Sequence, residues 1–167
     1  MQWLVKSDME TEHEYIAVDS TGRSLLLNPF TNKGTAFTPE ERHDLDLYGL
    51  VPPVVSTMEN QLERTYENFK AKTTSLEKFI YLAALHDRNE TLFYRLVHEH
   101  IDEMMPIVYT PAVGEACQRF SHIYRASRGL YVSYDQQDNI AQILSNYPRP
   151  PAIIVATDGE RILGLGD

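Results

Sequence analysis

Cysteine and tryptophan are nearly absent from these 167 residues, with Cys117 and Trp3 the sole examples. A lone cysteine closes no internal disulfide, which excludes a cystine-stapled fold and fits a reducing compartment. No run approaches the ~20 consecutive apolar residues that span a bilayer. The opening MQWLVKSDMETEHEY lacks the basic-then-apolar order of a secretory leader. Positive charge is also scarce: 15 Lys and Arg stand against 24 Asp and Glu, a formal net charge of −9. Nucleic-acid binding draws on clustered cations, so a polyanion partner is not expected. The six histidines (His13, His43, His86, His98, His100 and His122) contain no i, i+4 pair, so no helix offers two imidazoles to one metal ion. The expectation is a soluble, cytoplasmic, acidic protein without membrane or nucleic-acid partners.

What is present suits a globular fold, with 43% hydrophobic residues and enough length for a core. Ten tyrosines supply surfaces apolar in body and polar at the tip, common at interfaces. Residues 1–36 read as an irregular arm. Within it EYIAVDSTGRSLLLNP offers two strand-like pieces around a Ser-Thr-Gly turn, either a hairpin or an extended segment. FTPEERHDLDLYGL then gives the clearest helix start, with Thr38 as N-cap, Pro39 at the first position and Glu41 three residues after the cap. Gly49 is expected to end that helix, and Pro52-Pro53 to forbid its continuation.

STMENQLERTYENFKA is helical in spacing, with Met58, Leu62, Tyr66 and Phe69 on one stripe. A second capping box, Thr74 to Glu77, opens KFIYLAALHDR, whose wide apolar circumference predicts a central helix. TLFYRLVHEHIDEMM continues the helical spacing through Leu92, Leu96, Ile101 and Met105, and Pro106 is expected to stop it. Ile107 to Tyr109 then read as a short extended piece. Thr110-Pro111 start a further helix that buries Ala116, Phe120, Ile123 and Tyr124. Beyond Arg128-Gly129 the pattern changes. LYVSY alternates as a strand, DQQDNIAQILSNY reads as a helix capped by Asp135, and PAIIVAT as a buried strand, a parallel βαβ order. The expected fold is α+β to α/β: mostly helical first, over 37–128, and then the first strands of a parallel sheet, over 129–167, left incomplete.

Most chemistry-bearing side chains have an ordinary reading. Cys117 falls on an apolar helix face, as a small core residue does. Glu99, Asp102 and Glu103 form an acidic patch of the kind that solvates a helix. GLGD has too few glycines and no following helix for a phosphate loop. Two residues stand apart. Tyr109, before Thr110-Pro111, sits where a junction can present a hydroxyl at a cleft mouth. Arg161, beyond the Asp158-Gly159 turn and among apolar residues, calls for an anion. A substrate carboxylate and an internal salt bridge to Asp158 or Glu160 are the alternatives.

Taken together, NKGTAFTPEER, LEKFIYLAALHDRNETLFYRLVHEH, MMPIVYTPAVGEACQRFSHIYRASRGLYVSY and VATDGERILGLGD resemble, in order and spacing, the N-terminal part of malic enzyme. The resemblance covers residues 32–167, with the first thirty or so matching more loosely. Malic enzymes oxidise L-malate with NAD or NADP and decarboxylate the product to pyruvate, using Mg²⁺ or Mn²⁺. The resemblance implies that Tyr109, in the VYTP motif, is the general acid that protonates the enolpyruvate carbon. It implies that Arg161, in DGER, holds a malate carboxylate. Arg64 and Arg88 match two arginines through which some members bind the activator fumarate at a dimer interface, a candidate effector site. The acid that accompanies that pair is replaced here by Ser56.

In the family the chain continues past GLGD to a lysine base, the metal-holding carboxylates and a Rossmann domain for the dinucleotide. The resemblance therefore implies no metal ligand within these residues, and no malate oxidation by them alone. It also implies a homo-oligomeric parent, dimer or tetramer. Malolactic enzyme, which resembles malic enzyme throughout this region, is the enzymatic alternative. A non-catalytic oligomerisation or regulatory module is the other.

Overall fold

A computed structural model describes residues 3–7, 14–147, 151–158 and 160. The chain divides into two compact units, residues 1–116 and 117–167.

The first unit begins with an antiparallel pair, β1 (Trp3–Ser7) and β2 (Glu14–Val18), in register from Trp3 opposite Val18 to Ser7 opposite Glu14. Thus EYIAV is a strand, but its partner precedes it. The second strand-like piece, SLLL, is helical instead, in α1 (Gly22–Leu26). Gly22 takes φ +61 and donates its N–H to the Leu45 carbonyl at 2.7 Å, turning the chain where a side chain would be strained. A helical turn then buries one leucine, Leu25, against Phe37 and Leu47. Its carbonyl accepts the Thr31 hydroxyl at 2.9 Å.

Helix α2 (Pro39–Asp44) starts as the sequence predicts. Thr38 Oγ1 accepts the Glu41 N–H at 3.2 Å and the Glu41 carboxylate accepts the Thr38 N–H at 2.9 Å. It ends at Asp44, not at Gly49, because Asp46 adopts φ 54 and closes a Schellman motif. In that motif the Leu47 N–H reaches the Arg42 carbonyl at 2.9 Å.

Four helices form the main core: α3 (Met58–Lys70), α4 (Ser75–His86), α5 (Glu90–Glu99) and α6 (Ile101–Val108). Leu62, Phe69, Leu82, Leu85, Leu92, Leu96, Met104 and Ile107 are buried there. The stripe read on α3 is the one buried, with Met58 and Tyr66 packed against its edge. As its composition predicts, α4 is central, packing on α3, α5 and α6. Its capping box forms, Thr74 Oγ1 accepting the Glu77 N–H at 3.1 Å.

The run through Met105 is not one helix. It breaks at His100 (φ −125, ψ 40), and Pro106 lies inside α6 rather than ending the preceding helix. The break resets the helical phase. Met104 and Ile107 face the core while Ile101 and Met105, expected inside, are exposed. Ile107 and Val108 are helical, so the extended piece expected at 107–109 reduces to Tyr109. The next helix, α7 (Ala112–Gln118), buries Ala112, Gly114 and Ala116.

In the second unit, α8 (Phe120–Ile123) is a single turn, and a 3₁₀ stretch over Tyr134–Asn139 leads into α9 (Ile140–Ser145). The helix expected after Asp135 is there in these two pieces. Ser133, not Asp135, occupies the cap position, without a side-chain bond. The strands expected at 130–134 and 151–157 are not formed: 130–133 and 151–158 are irregular. A strand exists through pairing, and neither run finds a ladder partner among the described residues. Phe120 and Tyr124, read as buried, are exposed, because the helix is interrupted at Arg119 and the expected continuous face is lost. Among the described residues from 117 onward, none is buried.

Candidate functional site

Tyr109 caps the C-terminal end of α6 in extended conformation, φ −129 and ψ −152. Its backbone is held on both sides. The N–H donates to the Met105 carbonyl at 2.9 Å, and its own carbonyl accepts the Val113 N–H at 3.0 Å as α7 begins. The following Thr110–Pro111 peptide is cis. The residue is 48% exposed, on a backbone tied to two helices. That is a geometry in which a proton donor is placed and a ligand is free to arrive.

Arg161 lies outside the described residues. Just before it, the Asp158 carboxylate accepts the Glu160 N–H at 3.2 Å, an Asx-type turn at the expected place.

Arg64 stands on the exposed face of α3 and donates from Nη2 to Ser56 Oγ at 2.8 Å. Ser56 is buried, and its N–H is bound to the Thr35 carbonyl at 3.0 Å. A neutral hydroxyl thus receives the guanidinium and leaves its charge uncompensated at that contact. Arg88 follows α4 and is exposed. Its carbonyl accepts from Asn32 Nδ2 at 3.1 Å, while the next residue, Asn89, is buried and caps α5 through the Leu92 N–H at 2.9 Å. Cys117 is half-buried.

The acidic patch is not simply solvated. Glu103 Oε2 accepts the Tyr66 hydroxyl at 2.8 Å, and Lys78 Nζ lies 3.5 Å from Glu103 Oε1. That carboxylate holds the Tyr66 hydroxyl above the ordinary phenol range. Glu99 and Glu59 share Arg95, at 3.1 and 2.9 Å. Backbone hydrogen bonds first, then Arg95, keep the Glu59 carboxyl below its usual range. Sequence reading misses these links because Tyr66 and Glu103, like Glu59 and Arg95, sit on different helices with no shared local pattern. The same is true of Arg42. It is buried, and it donates from Nε to the Phe37 carbonyl at 2.9 Å and from Nη1 and Nη2 to the Pro52 and Thr35 carbonyls at 2.7 and 3.0 Å.

Among the described residues, no three His, Cys, Asp or Glu side chains come together in a group that could hold a metal ion. No described helix is long and apolar enough to cross a membrane.

A family model described as malic enzyme, N-terminal domain, matches residues 86–167. NAD-dependent malic enzyme 2 of Vibrio vulnificus (strain YJ016) is 52% identical over 151 residues, covering 90% of this chain and 27% of that protein. The NAD-dependent malic enzyme of Acinetobacter baylyi is 50% identical over 162 residues, 96% of this chain and 29% of that protein. That of Escherichia coli O1:K1 / APEC is 54% identical over 147 residues, 87% and 26%. The chain therefore spans little more than a quarter of the length of these relatives.

Proposed function

Because this chain belongs to the malic enzyme family, over its N-terminal part, we propose that it supplies active-site residues for NAD-dependent oxidative decarboxylation of L-malate to pyruvate and CO₂. In that reaction the C2 hydride of malate passes to NAD and the resulting oxo acid loses CO₂. The enol left behind must take a proton at C3. Tyr109 is the general acid for that last step. Arg161 holds a malate carboxylate through its forked guanidinium, orienting C2 toward the nicotinamide. A divalent ion, Mg²⁺ or Mn²⁺, polarises the carbonyl when bound. The described residues offer no ligand set for it.

The observation that carries the reading is Tyr109 itself: a half-exposed phenol on a backbone hydrogen-bonded into α6 and α7. The names of the three relatives favour malate oxidation with NAD over a malolactic outcome. The test is Tyr109→Phe in the complete gene product that carries this stretch. Removing a general acid typically costs about 10²–10⁴-fold in rate. The expected result is a fall of that order in kcat, together with loss of solvent deuterium uptake into the methyl group of pyruvate. Undiminished uptake would remove Tyr109 from the role.

The enzyme is cytoplasmic and homo-oligomeric in this reading, and Arg64 and Arg88 form a dicarboxylate effector site. Ser56 in place of an acid leaves the Arg64 guanidinium with a neutral partner and its charge available to an anion. Titration of the complete enzyme with fumarate should change its rate. A flat response, or an equal one in Arg64→Ala, would dismiss the effector site.

A further inference from the structure

Two features of α6 leave its placement to side chains. At eight residues it is too short to hold itself, and Pro106 deprives it of one internal donor. Its underside is fixed by burial of Met104 and Ile107 in the core. Burial of two apolar side chains does not by itself fix the slide and rotation of a helix along an apolar floor, since dispersion contacts are non-directional. Directional contacts are made at the first turn, by Glu103. One of its oxygens takes the Tyr66 hydroxyl of α3 at 2.8 Å, and the other lies 3.5 Å from Lys78 Nζ of α4.

The partners are themselves held. The Tyr66 ring stacks on His100, the residue just before α6, with centroids 3.7 Å apart and planes at 6°. Lys70 Nζ lies 4.4 Å from the centroid of that same ring, and Lys78 Nζ lies 4.6 Å from that of buried Phe69. One carboxylate therefore gathers a hydroxyl from one helix and an ammonium from another, on the helix whose C-cap is Tyr109. Exposed ion pairs of this kind contribute little to global stability, so stability alone is a weak reason for the arrangement.

We propose that Glu103, clamped by Tyr66 and Lys78, is a positioning residue for the general acid, setting the register of α6 and with it the place of the Tyr109 hydroxyl. The proposal rests on the assignment of Tyr109 made above. A phenol keeps its proton across neutral pH, and the Glu103 carboxylate pushes that of Tyr66 higher still.

The test uses the complete gene product and two partial reactions. Deuterium uptake into the pyruvate methyl group needs Tyr109: its phenolate oxygen takes a methyl proton, exchanges it with solvent and returns a deuteron to the same carbon. Reduction of oxaloacetate by NADH, the reverse of the hydride step, needs no proton at C3. Displacing a catalytic group by about 1 Å costs on the order of a hundredfold, so loosening one clamp is expected to cost roughly tenfold in uptake. In Tyr66→Phe, which removes one oxygen atom, the ratio of uptake to reduction should fall by about that factor. Glu103→Ala should do the same wherever it folds. An unchanged ratio in Tyr66→Phe, with both rates intact or both lowered together, overturns the proposal. Tyr109→Phe run alongside separates the two failures, because full uptake there defeats the assignment of the acid and not the clamp.

Discussion

Glu77 shows how much one carboxylate can be made to hold. It accepts hydrogen bonds from the N–H groups of Thr73 and Thr74 and from both threonine hydroxyls, at 2.8 to 3.2 Å. Led by the Thr73 hydroxyl, these bonds lower its pKa from 4.5 to about 2. A carboxyl whose folded value is depressed contributes its stability above the unfolded value and loses it as pH falls toward the folded one. Thermal unfolding should therefore find Glu77→Ala less stable than the parent at pH 7. That gap should close between pH 4.5 and about 2. A gap unchanged down to pH 2.5 would refute the role. The two capping boxes were legible in the sequence because every partner lies within three residues. Arg42 was not: its acceptors are main-chain carbonyls at 35, 37 and 52–54, and a carbonyl has no letter in a sequence.

At the scale of elements, periodicity predicted the helical core well wherever a helix runs unbroken. α3 and α4 bury the faces expected of them. It failed at the α5–α6 join, because a break resets the helical phase and Ile101 and Met105 are counted on the wrong side. No proline or glycine announces that break. His100 makes it, with its ring laid flat on Tyr66 from another helix. The expected strands of the second unit fail for a different reason. Alternation describes a surface ready to pair, and pairing needs a neighbour. Tyr109, by contrast, is extended at a junction beside Pro111 as the sequence predicts, but it follows a helix and not a strand. Leu96 is fully buried between the faces that α5 shares with the core, so Leu96→Ala should cost about 2–5 kcal/mol by urea unfolding. A loss below about 1 kcal/mol would mean that the core closes over the gap.

The whole molecule is uneven. In the first unit two apolar clusters gather side chains from β2 to α7. In the second, Leu130, Tyr131, Val132, Tyr134, Ile140 and Leu144 are all exposed, Tyr134 at 87%. Backbone with few buried contacts opens at low free energy and is cut first. Limited proteolysis of the 167-residue polypeptide should cleave within 124–147 well before any site between 58 and 108. Equal resistance in both stretches would contradict that. Between the extremes lies the loop over 51–55, which Arg42 fastens. A guanidinium stays charged at every pH a protein survives, and the partners here are carbonyl dipoles that have no proton to gain. The knot is thus deaf to acid and, being buried, largely deaf to salt. On acidification the helix caps should loosen first, that of α2 at Glu41 included, while the hold of Arg42 on its carbonyls persists.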